Sequence, residues 1–120
     1  MTMQITSPYG KIDITYDVIA TLAGGAALDV YGLVGMASRK QLKDGIAELL
    51  GRENLSRGIE VYEKDGETIV DMYIIVSYGT KITEVANNVQ QKVIYTLQEN
   101  VGLKIDKVNV YVQGVRVLNV

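Results

Sequence analysis

From Thr68 to Tyr78 apolar residues alternate so regularly that two faces separate, with Val70, Met72, Ile74 and Val76 on one and Ile69, Asp71, Tyr73, Ile75 and Ser77 on the other. The period of two predicts a β-strand whose first face belongs to the core. Ile59 and Val61 precede it across Lys64-Asp65-Gly66-Glu67, where Asp-Gly is the signal of a tight hairpin, so two antiparallel strands meet there. After Gly79-Thr80-Lys81 the period becomes helical. Ile82, Val85, Ala86, Val89, Val93 and Leu97 line one side and Glu84, Asn88, Gln91, Lys92, Gln98 and Glu99 the other, with Gly102 as the stop. Leu103 to Val117 returns to strand, carrying Val108, Val110 and Val112 in period two and Gly114 as the mark of a bulge.

The first half is more punctuated. Residues 1–9 read as a lead-in, and Gly10 to Ile14 as a short strand with Ile12 and Ile14 on one face. Thr15 caps a helix from Tyr16 to about Val30, with Val18, Ile19, Leu22, Ala23, Ala26 and Val30 at helical spacing and Asp17 in the first turn. Gly24-Gly25 costs such a helix about 1 kcal/mol per glycine, so the pair implies close packing, a kink or an early end. Tyr31 to Ala37 reads as a buried connection. Ser38-Arg39-Lys40-Gln41 has the form of a capping box for a second helix with Leu42, Ile46, Leu49 and Leu50 on one face and Gly51 as its stop.

The order strand-helix-helix-strand-strand-helix-strand predicts one α+β domain over residues 1–120, a single mixed sheet with helices packed on one face. The other face then carries Glu60, Tyr62 and Lys64, Asp71, Tyr73 and Ile75, and Asn109, Tyr111 and Gln113 from three strands.

Composition narrows the chemistry. The 120 residues hold 48% apolar and 22% charged side chains, the proportions of a globular protein with one core. Twelve Lys and Arg against 14 Asp and Glu give a net charge of −2, which argues against nucleic acid as a partner. The chain has no His and no Cys, so the commonest general base, metal ligand and thiolate nucleophile are all missing. No cofactor, metal site or catalytic residue is expected, and the chain reads as a binding module rather than an enzyme. The N-terminal residues lack the basic and apolar regions of a signal peptide, and no apolar run approaches the roughly 20 residues of a membrane helix. A cytoplasmic location without direct membrane insertion is the expectation.

Two places carry candidate sites. Tyr62, Tyr73 and Tyr111, extended by Ile75, form a candidate interface, because tyrosine supplies large contact area at low entropic cost; aromatic cross-strand pairing that stabilises the sheet is the alternative reading. Gly79, Thr80 and Lys81, at a strand-to-helix turn, form a weaker candidate anion site, although the sequence has no Walker spacing and a plain turn accounts for it as well. The carboxylates Glu60, Glu63, Asp65 and Glu67 read as solvated charges around a turn. Asp71, within an apolar strand, reads as an edge charge or as a partner for a cation on the next strand.

Gly10-x-Ile12-x-Ile14 leading into Val18-Ile19, Gly32-Leu33-Val34-Gly35, and Tyr78-Gly79 after an apolar strand resemble the alkaline shock protein family of envelope-stress proteins. Val89-Gln90 with Val93, and Gly102-Leu103 ahead of Val108-Asn109-Val110-x-Val112, resemble it too. The resemblance runs from about Gly10 to Val117, and without long charged extensions the chain is similar to a short, core-only branch. It implies a bacterial, cytoplasmic, non-enzymatic scaffold tied to envelope homeostasis or stress. Such a protein would self-associate as a homo-oligomer or dock on a membrane-anchored protein, and so lie at the membrane only through that partner. The alternative is a small-ligand or acyl-group accessory protein of fatty-acid metabolism, with its pocket between Gly32 to Gly35 and the helices.

Overall fold

One long strand, Glu67–Ser77, organises the sheet. The computed structural model describes residues 1–37, 48–49, 55–102 and 104–117. In chain order its elements are β1 (Thr2–Ser7), β2 (Gly10–Thr15), α1 (Tyr16–Ala27), β3 (Leu33–Met36), β4 (Glu48–Leu49), β5 (Ile59–Lys64), β6 (Glu67–Ser77), α2 (Ile82–Val101) and β7 (Lys107–Arg116). The class is α+β, but the strands form two sheets rather than one: a β1-β2 hairpin stands apart from a five-stranded sheet built around β6.

The hairpin of β5 and β6 closes as the Asp-Gly signal requires. Lys64 pairs with Glu67, and Asp65 and Gly66 both take positive φ, the geometry of a two-residue turn that follows the strand twist. β7 returns through α2 and pairs parallel with β6 along Ile69 to Ser77. The register steps from Ile74↔Val112 to Ile75↔Gly114, so Gln113 is the extra residue of the bulge predicted at Gly114.

β5 pairs with Glu67 to Met72, a stretch that β7 also pairs with in part, so the two occupy opposite edges of β6. β3, antiparallel, takes over from β5 along Ile74 to Val76. The handover falls on Tyr73, whose N–H donates to the Gly58 carbonyl and whose carbonyl accepts from the Ala37 N–H, both at 2.9 Å. Gly58 has φ +74°, and a Cβ there would stand 2.8 Å from the Ala37 carbonyl oxygen, so the junction needs glycine twice over. The segment read as a buried connection is therefore a strand in its middle. Leu33–Met36 pairs because the second half of β6 offers an open edge that local sequence does not reveal.

β1 is the other departure. Met3 and Ile5 alternate with Gln4 and Thr6 just as Ile12 and Ile14 alternate with Lys11 and Asp13, and the two runs pair across Pro8-Tyr9, so the lead-in is half of a hairpin. The expected second helix falls mostly on residues outside those described. Where it would end, Glu48–Leu49 instead pairs with Met36 and Gly35 as β4.

α1 starts at its predicted cap, with the Thr15 hydroxyl accepting from the Val18 N–H, and ends at Ala27 rather than Val30. Close packing explains Gly24: a Cβ there would overlap the Leu55 carbonyl oxygen, whereas one on Gly25 would only touch the Leu55 side chain at 3.9 Å. α2 ends at Gly102, in the left-handed conformation with φ +77°. Ile19, Ala23 and Ala27 of α1 and Val85, Val89, Val93 and Leu97 of α2 pack with Val70, Met72, Ile74 and Val76 of β6 in one core. Each of the Val, Ile, Leu and Met side chains among them contributes about 1.5–3 kcal/mol on burial, so this inner face holds the sheet to the helices.

Candidate functional site

With α1 and α2 committed to the inner face of β6, alternation sends Ile69, Asp71, Tyr73, Ile75 and Ser77 to the outer one. Pairing brings the neighbours alongside. Asn109 lies directly opposite Asp71 and Tyr111 directly opposite Tyr73 on β7, while Glu60 is opposite Asp71 and Tyr62 opposite Ile69 on β5. The predicted parity therefore holds on β5, on β6 and on β7 as far as Val112, beyond which Gln113 falls on the bulge, and Tyr62, Tyr73 and Tyr111 share a face.

Their chemistry is more specific than a row of aromatics. The Tyr62 hydroxyl reaches diagonally across β5 and β6 and donates to Asp71 Oδ2 at 3.0 Å, and the Asn109 amide donates to Asp71 Oδ1 at 2.9 Å. Asp71 is only 6% exposed, so these donors supply what water would otherwise give a carboxylate. It is thus neither an edge charge nor half of an ion pair: it belongs to the central strand, and neutral donors from both flanking strands satisfy it. Desolvation and the neighbouring Asp71 carboxylate raise the Tyr62 phenol above its ordinary value of 10.0, so it stays a donor at neutral pH.

Two residues further along β6, the Tyr73 and Tyr111 rings stack with centroids 5.0 Å apart and planes 17° from parallel. Tyr111 is 41% exposed and Tyr73 half-buried. Ile75, expected to extend the exposed apolar area, is 4% exposed and so adds almost nothing to it. A hydrogen bond holds the Tyr62 ring, and stacking holds the Tyr73 and Tyr111 rings, in position. Asp71 and Asn109 were individually visible in the sequence, but their link to Tyr62 depends on a diagonal contact that strand parity alone does not specify.

The other candidates have local explanations. Gly79 turns the chain at φ +95°, and the Thr80 hydroxyl donates to the Ser77 carbonyl at 2.7 Å. The exposed Lys81 is the α2 N-cap, and its carbonyl accepts from Glu84 and Val85. Glu84 itself occupies the first turn, where it answers the helix dipole from within the chain. Around the hairpin, Glu67 pairs with Lys107 at 3.3 Å. Among the described residues no three acidic, His or Cys side chains group as metal ligands, and no helix is long and apolar enough to cross a membrane. At Gly32 the backbone packs closely on α2: a Cβ on that glycine would stand 2.7 Å from Val85 Cγ2.

Comparison with known proteins identifies the family of the chain. The model of the alkaline shock protein 23 family, described as having a cell envelope-related function, matches residues 4–117. The chain is 58% identical to the uncharacterized protein YloU of Bacillus subtilis over 119 residues, 99% of each chain. It is 44% identical to the uncharacterized protein Spy1614 of Streptococcus pyogenes, over 98% of each. With the uncharacterized protein YqhY of Bacillus subtilis it shares 33% identity over 89% of this chain and 78% of the relative. No solved structure matches the chain.

Proposed function

Since the chain belongs to the alkaline shock protein 23 family, whose function is related to the cell envelope, we propose that it is a non-enzymatic interaction protein that self-associates through the outer face of its sheet. The observation that carries this reading is the stacked Tyr73–Tyr111 pair, pre-ordered on the face turned away from both helices. Rigid tyrosines lose little entropy on binding and are enriched at interface hot spots, so a face that already holds them in place starts with part of the cost of association removed. The same face would serve a membrane-anchored partner protein, which would bring the chain to the membrane without any spanning segment of its own. In this reading the protein works in the cytoplasm of a bacterium as a scaffold for envelope homeostasis or stress.

The absence of His and Cys from the whole sequence supports a role without catalysis, because Ser, Lys and Tyr would have to build any nucleophile and base pair, and no such pair occurs in a recognisable motif. The test is Tyr73→Arg, which places a charge in the middle of the face. It is expected to retain the native circular dichroism spectrum and to lose the salt-resistant part of the association measured by sedimentation, which is the part this face contributes; unchanged salt-resistant association with native dichroism rejects this face as the interface.

A further inference from the structure

We propose a second contact between copies of this chain: two β1-β2 hairpins join edge to edge through β2, around a two-fold axis at Ile12, into one four-stranded sheet. The inference does not rest on the tyrosine face. It starts from where the hairpin lies, outside the main sheet, with Gly10 to Asp13 all exposed and Tyr9 wholly so at the turn. The molecule is elongated, 55 × 28 × 27 Å. Two isolated strands are marginal in water, and this pair keeps only Met3 and Ile14 packed against the core.

The edge of β2 has a defined phase. Its Tyr16 extension donates to the Met1 carbonyl at 3.1 Å, and the register then makes Met3·Ile14, Ile5·Ile12 and Ser7·Gly10 the hydrogen-bonded pairs. The backbone groups of Lys11 and Asp13 therefore point away from β1, and among the described residues no other strand pairs with them. Within its own hairpin Lys11 faces Thr6 and Asp13 faces Gln4, so neither opposes a charge.

Charge complementarity selects both the occupant and the register. When β2 meets a second β2 antiparallel about Ile12, Lys11 of each copy stands opposite Asp13 of the other in a hydrogen-bonded pair, which makes four backbone bonds and two cross-strand ion pairs. Sliding the strands by two residues in either direction sets Lys11 against Lys11 or Asp13 against Asp13. The outer edge of β1 presents Gln4 and Thr6 and carries no such code. On the opposite side of the joined sheet, Met3, Ile5, Ile12 and Ile14 of both copies merge into one apolar face. Because the contact is isologous, it closes on itself and leaves the tyrosine faces free.

The experiment uses two charge variants of the full chain, Lys11→Asp and Asp13→Lys, each in the Tyr73→Arg background so that the other face does not contribute. Each alone sets like charges opposite one another and is expected to weaken the dimer about tenfold or more in sedimentation equilibrium. Their equimolar mixture restores two Asp–Lys pairs and is expected to recover the parent affinity, which also shows that both variants fold. Ile12→Cys provides a second readout in a chain with no other cysteine. The paired Cα atoms at the axis would lie about 4.5 Å apart, within disulfide range, so mild oxidation is expected to yield a covalent dimer. A parent that remains monomeric, single variants that dimerise as it does, a mixture that stays dissociated, or no covalent dimer overturns the proposal.

Discussion

At the scale of single residues, Asp71 and Gly24 show how far a neighbour decides the meaning of a side chain. Asp71 is buried on the outer face and holds donors from two other strands, so Asp71→Ala leaves the Tyr62 hydroxyl and the Asn109 amide without their acceptor. The expected cost is about 1–3 kcal/mol in urea unfolding; a variant as stable as the parent would mean that water replaces the carboxylate freely. Tyr62 adds a pH dependence. Its phenol titrates higher in the folded chain than its ordinary value of 10.0, so its contribution to stability is complete below that value and is lost as pH rises through the folded one. Tyr62→Phe is therefore expected to remove part of the alkaline fall in stability and one late step from the ultraviolet titration of the tyrosines. The two helix glycines give opposite expectations. Gly24→Ala forces a methyl into the Leu55 carbonyl and should cost at least about 1–3 kcal/mol, whereas Gly25→Ala has room and should gain about 0.5–1 kcal/mol. Denaturation midpoints that move together would contradict this distinction.

At the scale of elements, what could be read in the sequence followed the reach of each pattern. α2, the β5-β6 hairpin and β7 announce themselves because their periods run on for many residues and end in glycine or Asp-Gly signals. β3 does not: Leu33–Met36 is four residues long, interrupted by Gly35, and becomes a strand through the free half-edge of β6 far along the chain. β1 was legible in principle, since Met3 and Ile5 mirror Ile12 and Ile14 across Pro8-Tyr9, but two alternations are a weak signal beside the longer ones. The candidate face shows the same division. Parity gave the side on which Tyr62, Tyr73 and Tyr111 lie, whereas the ring stack and the link from Tyr62 through Asp71 to Asn109 depend on register. Gly58 provides the test at this scale, since β3 and β5 can share one edge of β6 only if the chain passes close to the Ala37 and Tyr73 carbonyls. Gly58→Ala combines that crowding with an unfavourable φ and is expected to cost more than about 1 kcal/mol in unfolding. It should also speed amide exchange at Ala37 and Tyr73; unchanged exchange there would contradict the shared junction.

At the scale of the whole molecule, one sheet separates two kinds of surface. The inner face is occupied by both helices and makes the core, while the outer face carries a pre-ordered aromatic pair and no described helix. The proposed function uses this outer face for contact with other proteins. The most direct measurement is sedimentation velocity over a wide concentration range, in low and high salt, on the parent chain and Tyr73→Arg. The parent is expected to grow with concentration in a manner that persists in high salt, as apolar contact requires, and Tyr73→Arg to lose that salt-resistant growth. Identical profiles for the two chains, or a parent that stays monomeric throughout, would contradict the assignment of the outer face as the surface of association.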